Sequence, residues 1–155
     1  MARKPRVHFP GALYHVISRG NQRQDIFFED KDLKTFLSYL SEYKTRYPFY
    51  LYAYSLMKNH FHLLLEVHGT PLSKIMQSLL FRYTRYFNKR YGKMGHLFQG
   101  RYKAILCDKD AYLLRLADPK IAFPFPGQKF GKVSNIFLYS SSFFCNGYII
   151  IVFSS

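Results

Sequence analysis

The chain has no tryptophan and only two cysteines in 155 residues. Cys107 and Cys145 show no metal-ligand spacing and suit a reducing cytoplasm, so no cysteine-based metal site is expected. Acidic residues are scarce too. Nine Asp and Glu stand against 23 Lys and Arg, giving a formal net charge of +14 and a pI near 9.8. That balance favours a polyanionic partner, either nucleic acid or an anionic membrane surface. No stretch reaches the ~18 apolar residues of a spanning helix. The start, Met1-Ala-Arg-Lys-Pro-Arg6, is basic with no apolar run behind it, so no signal peptide is expected.

Aromatic residues are abundant, with 14 Tyr and 16 Phe. Tyrosine interleaved with arginine on a basic face suits stacking on unpaired bases. Many of these rings must also build the core, and composition does not separate the two uses.

The most informative segment is His60-Phe61-His62. Alternate residues of a strand share a face. His60 and His62 should therefore project together, with Phe61 turned into a core. Two imidazoles side by side on a strand can hold a divalent metal. They can also be ordinary polar-face histidines at a sheet edge. Lys58 and Asn59 before the pair, and Leu63, Leu64 and Leu65 after it, favour a functional site next to a buried strand.

Residues 1–11 read as a basic, extended arm closed by Pro10 and Gly11. Residues 12–18 read as a strand with Leu13, His15 and Ile17 on one face. A polar turn follows at 19–23. Asp30 is the expected cap of a helix over about 31–46, with Leu33, Phe36, Leu37 and Leu40 as its stripe. Residues 49–57 and 60–67 read as a hairpin turning at Lys58 and Asn59. Residues 72–91 read as a second helix, with Leu72, Ile75, Met76, Leu79, Leu80, Tyr83 and Phe87 along one side and Gly92 as a C-cap. A basic segment punctuated by Gly95 and Gly100 leads to a short strand at 104–107 and a helix from 108 to 117. The order strand, helix, hairpin, helix, strand, helix predicts an α+β fold, a ferredoxin-like antiparallel sheet with helices packed on one side.

The character of the chain changes at Asp118-Pro119. Two units are expected: a domain over 1–117, and a divergent tail over 118–155 that packs poorly or is disordered. The final run, Ile149 to Phe153, could be an added strand or an aggregation-prone end.

Three stretches carry a family resemblance: Tyr14 to Asn21, Met57 to Leu65, and Gly95 to Ala104. Residues 7–117 together resemble the single-strand-specific HUH tyrosine transposases of bacterial insertion sequences, and among them the REP-associated tyrosine transposase branch. The resemblance implies that His60 and His62 bind Mg²⁺ or Mn²⁺. It implies single-stranded or hairpin DNA as partner, cleaved and rejoined through a phosphotyrosine link. No phosphate-binding glycine loop is present, and none is needed for such chemistry. The family includes dimers and monomers, so a homodimer is open. A membrane-surface protein would leave the histidine pair without explanation.

One departure matters. The family's last helix continues through a Tyr and then an Asn-Pro pair. Here the first position reads Pro119 and the Asn position reads Phe123. Proline removes a helical hydrogen bond and costs ~3 kcal/mol or more, so that helix should end early. The nearest tyrosine, Tyr112, lies just under two turns back, on roughly the same face but about 10 Å along the axis at ~1.5 Å per residue. It is the fallback nucleophile, or else a core aromatic. A frameshifted gene end or a diverged functional tail would each explain the change. Two functions from different classes follow: a strand-transfer enzyme, or a catalytically inactive DNA-binding remnant. In either, the residues expected to track phosphates are Arg19, Arg23, Lys58, Arg82, Arg85, Lys89, Arg90, Arg101 and Lys103.

Overall fold

The computed structural model describes residues 8–111 and 149–152. Strands β1 (Ala12–Arg19), β2 (Phe49–Met57), β3 (His60–Val67), β4 (Lys103–Cys107) and β5 (Ile149–Val152) form one antiparallel sheet in the order β4-β1-β3-β2-β5. Helices α1 (Asp30–Arg46) and α2 (Leu72–Tyr91) pack on one side of it. The first four strands and two helices give the α+β, ferredoxin-like arrangement that the order of elements predicted. Within the tail expected to pack poorly, residues 149–152 are paired as a strand along β2. Tyr112, Pro119 and Phe123 lie outside the described residues, as do most of the basic arm and most of the tail.

The period-2 pattern divides the sheet into two faces. Tyr14, Val16, Phe61, Leu63, Leu65 and Tyr54 point to the helix side and pack with Phe36, Leu40, Ile75, Leu79, Tyr83 and Phe87. Leu13, Ala53 and Leu64 form a smaller apolar patch on the other face. Tyr83 is fully buried, and its hydroxyl donates to the Ile26 carbonyl at 2.6 Å. Burial of so large a ring is tolerated because its one polar atom is satisfied.

The cap of α1 is Glu29, one residue before the expected Asp30. The reason is a capping box. The Asp32 carboxylate reaches back to accept from the Glu29 amide at 3.1 Å and the Phe28 amide at 2.8 Å. The Tyr86 and Tyr91 hydroxyls of α2 donate to the same carboxylate at 2.9 and 2.6 Å. Asp32 thus ties the two helices together from a fully buried position. Burial alone would raise its carboxyl pKa. The hydrogen bonds, led by that from Tyr91, outweigh burial and hold it below the ordinary carboxylate range. At the far end, α2 closes on Gly92 with φ 59°, the left-handed cap that a glycine adopts without strain.

β2 departs from strict alternation. Leu51 pairs with Leu65 and Ala53 with Leu64, so Tyr52 is an extra residue in a bulge. The bulge lets Leu51 and Tyr54, three apart, both reach the helix-side core. It also sets Ser55 directly opposite His62.

Candidate metal and nucleic-acid site

His60 and His62 share the sheet face away from the helices, and Phe61 is buried among the helix-side residues. Their ring centroids lie 5.2 Å apart. A ring centre sits about 3.2 Å from an ion bound at the usual ~2.1 Å nitrogen distance, so these two rings are close enough to share one ion. Among the described residues no group of three His, Cys, Asp or Glu side chains converges to hold an ion. An ion at the pair would therefore complete its shell with water, substrate oxygens or another side-chain type, as Mg²⁺ commonly does. The Ser55 hydroxyl is fully buried, opposite His62, with no hydrogen-bond partner. An unsatisfied buried hydroxyl is costly. One lying beside the pair fits a hydrated cation there.

The histidines are also in the right protonation state. Burial pushes the His62 pKa down to about 3, with smaller contributions from His15 and His60. Burial likewise lowers His60, helped by the Arg19 charge. Neutral imidazole is the ligating form.

The antiparallel register brings His15 to this face, a residue that the sequence grouped only with Leu13 and Ile17 on one side of its own strand. His15 on β1 lies diagonal to His62, and its Nε2 is 2.9 Å from His62 Nδ1. The ring planes lie within 22° of each other with centroids 5.2 Å apart, the nearly coplanar, edge-to-edge arrangement of an imidazole–imidazole hydrogen bond. Burial lowers the His15 pKa to about 4. A lone histidine in a strand gave no signal for this contact, because it spans 47 positions of sequence.

The sequence-predicted cations divide into two groups. Arg19 stands opposite His60, and Lys103 stands opposite Ile17, which is itself opposite His62. Lys58 belongs to the turn that begins β3. The Asn21 amide bonds the Leu97 carbonyl and the Gln99 amide bonds the Arg19 carbonyl, so the segment carrying Arg101 docks beside the end of β1. Arg23 lies in a 3-10 turn (Asn21–Arg23) on the same rim, where Gln22 and Arg23 hold φ of 50° and 61°. Left-handed backbone at two consecutive non-glycine residues costs of order 1 kcal/mol or more each and clusters at functional sites. Arg82 and Arg90 are elsewhere. Arg82 pairs with Glu42 of α1 at 2.6 Å and covers the Tyr39 ring at 4.1 Å. Arg90 pairs with Glu29 at 2.6 Å. Both stitch α1 to α2 on the helix side of the sheet. Arg85 and Lys89 are exposed on α2, with Arg85 5.9 Å from the Phe81 ring centre.

A glycine serves either a close backbone approach or a left-handed turn. At Gly100 a side chain would meet open space, and its requirement is φ 63° instead. The close approach is at Gly20, where an added Cβ would collide with the Gln24 carbonyl oxygen.

This is a ferredoxin-like domain with histidines on the sheet face away from its helices and basic residues at the neighbouring strand ends. The IS200-like transposase model matches residues 9–116, and the chain belongs to that family. A REP-associated tyrosine transposase bound to a REP hairpin shares the fold, with a TM-score of 0.57 and 15% identity over 74% of this chain and 67% of that one. A protein of Deinococcus radiodurans R1 described as a transposase gives 0.53 and 17% identity over 73% of this chain and 92% of that one. No curated protein sequence matches the chain. No described helix is long and apolar enough to cross a membrane.

Proposed function

We propose that this chain binds single-stranded or hairpin DNA along the rim formed by Arg19, Arg23, Lys58, Arg101 and Lys103. His60 and His62 hold a Mg²⁺ or Mn²⁺ ion beside that rim. The observation that carries this reading is the pair of neutral imidazoles on one face of β3, with Arg19 in the adjacent cross-strand position. The hairpin bound by the REP-associated relative supports the class of partner. When bound, the ion supplies Lewis-acid polarisation of a phosphate. The cationic side chains neutralise neighbouring phosphates and align the strand.

The rim and the helix-side arginines differ in what they should do to binding. Affinity for a labelled hairpin oligonucleotide should fall steeply with salt. Each neutralised phosphate adds about 0.7–0.9 to the log–log slope. Lys103→Gln or Arg101→Gln should lower that slope by about one such increment. Arg82→Gln should leave it unchanged, because Arg82 is engaged with Glu42. Equal losses from rim and helix-side substitutions, measured by fluorescence anisotropy, would dismiss the rim as the DNA path.

The covalent step is a separate matter. Attack on phosphorus needs a tyrosine on a helix facing the pair, within ~3–3.5 Å of the reacting atom. The expected position reads Pro119. The chain is therefore proposed to bind DNA without forming a phosphotyrosine adduct, the inactive-remnant reading. Incubation with single-stranded hairpin DNA and Mn²⁺, followed by denaturing electrophoresis, should show no shifted band. Rebuilding the helix with Pro119→Tyr should be necessary for one. An adduct from the unaltered chain, mapped to Tyr112 or any other tyrosine, would establish the strand-transfer enzyme instead.

A further inference from the structure

We propose that His15 is a positioning residue that fixes the tautomer and ring orientation of His62. The inference rests on the reading of His60 and His62 as the metal pair.

Each neutral imidazole carries one N–H and one lone pair. His15 Nε2 and His62 Nδ1 lie 2.9 Å apart, so one donates and the other accepts. If His62 Nδ1 donates, its lone pair is on Nε2 and the ring can ligate through that atom. If His15 donates, His62 carries its proton on Nε2 and that route is closed. His60 shows which pattern the site uses. Its Nδ1 lies 2.6 Å from Asn59 Oδ1, an amide oxygen that only accepts. His60 is thus protonated on Nδ1, with its lone pair on Nε2. Asn59 and His15 stand in the same relation to the two members of the pair. Outer hydrogen bonds of this kind orient metal-binding histidines and typically carry 10–100-fold in metal affinity.

The surroundings of His15 sharpen the point. Its cross-strand neighbours are Ile105 on β4 and Leu64 on β3, and it is buried. An apolar side chain would suit that row better than an imidazole, unless an acceptor is required. In this arrangement His15 Nε2 is engaged with His62 Nδ1, which makes it a hydrogen-bond partner of the pair and not a third ligand.

The test has two arms. In the first, long-range ¹H–¹⁵N spectra of the unaltered, metal-free chain at pH 7 read the tautomers directly. Both His60 and His62 should be protonated on Nδ1. A proton on His62 Nε2 would overturn the proposal without any substitution. In the second, Mn²⁺ affinity of the full chain is measured by electron paramagnetic resonance, with His60→Ala as the ligand reference. His15→Phe should weaken Mn²⁺ about 10–100-fold. His15→Gln, whose amide oxygen can accept from Nδ1, should recover to within a few-fold of the parent. The number of imidazole nitrogens on Mn²⁺, read by pulsed methods, should be two in the parent and in both His15 variants. Unchanged affinity in His15→Phe would remove His15 from the site. A count falling from three to two would make His15 a ligand and not a positioning residue. An unaltered chain that binds no Mn²⁺, or His60→Ala that binds as well as the parent, would sink the metal reading itself.

Discussion

Asp32→Ala should destabilise the protein by about 3–5 kcal/mol, the cost of removing one partner from a buried charged network. The Asp32 carboxylate is fully buried and accepts four hydrogen bonds, from the Phe28 and Glu29 amides and the Tyr86 and Tyr91 hydroxyls. Its loss leaves the first turn of α1 and two hydroxyls of α2 unsatisfied, each a penalty of about 1–3 kcal/mol where no water enters. The expected result is a large drop in the urea midpoint. The sign of the pH effect follows from the folded-state pKa, which is depressed. The unfolded chain takes up the proton first as pH falls, so the contribution of Asp32 is full above about pH 3.9 and is lost below it. Asp32→Asn should therefore be less stable at neutral pH and show a shallower acid limb than the parent. A midpoint within experimental error of the parent would show that the network does not hold α1 to α2.

His60→Ala combined with His62→Ala should reduce Mn²⁺ binding below detection while far-ultraviolet circular dichroism stays unchanged. Two imidazoles supply the protein ligands of the proposed site, and alanine supplies none. The fold should survive because neither ring belongs to the helix-side core that holds the sheet to α1 and α2. His62 is the more buried of the two. Its truncation leaves some unfilled volume, so a modest fall in melting temperature is expected from that position. Isothermal titration with MnCl₂ on parent and variant decides the matter. Retention of parental affinity by the double variant would move the ion, if one binds, to another place on the molecule.

These two predictions draw on different depths of information. The face shared by His60 and His62 is a local property. It needs only that residues 60–67 form a strand, and Leu63, Leu64 and Leu65 between Asn59 and Gly69 make that legible. The bounds of β2, β3 and α2 are legible for the same reason: period-2 and period-3.6 patterns repeat over eight or more residues there. The network around Asp32 is not local. In the sequence Asp32 is one acidic residue of a first helical turn, and only the packing of α2 brings Tyr86 and Tyr91 to it. The same is true of Arg82 and Arg90. From sequence they belong with a basic helix face, but Glu42 of α1 and its cap Glu29 pair with them.

The amino-acid sequence by itself determined the fold class, the family through its three motifs, and the histidine pair. The fold class and the shared face of the pair rest on short-range periodicity, and the family on the resemblance of the three motifs. Tertiary structure decided which other groups surround the pair. His15 meets His62 because β1 and β3 run antiparallel in one register. Ser55 stands opposite His62 because a single extra residue at Tyr52 shifts the pairing of β2. A shift of one residue turns every side chain of a strand to the other face. The pairing of β1 with β3 joins strands far apart in sequence, so it is settled by which faces pack together and not by a turn between them.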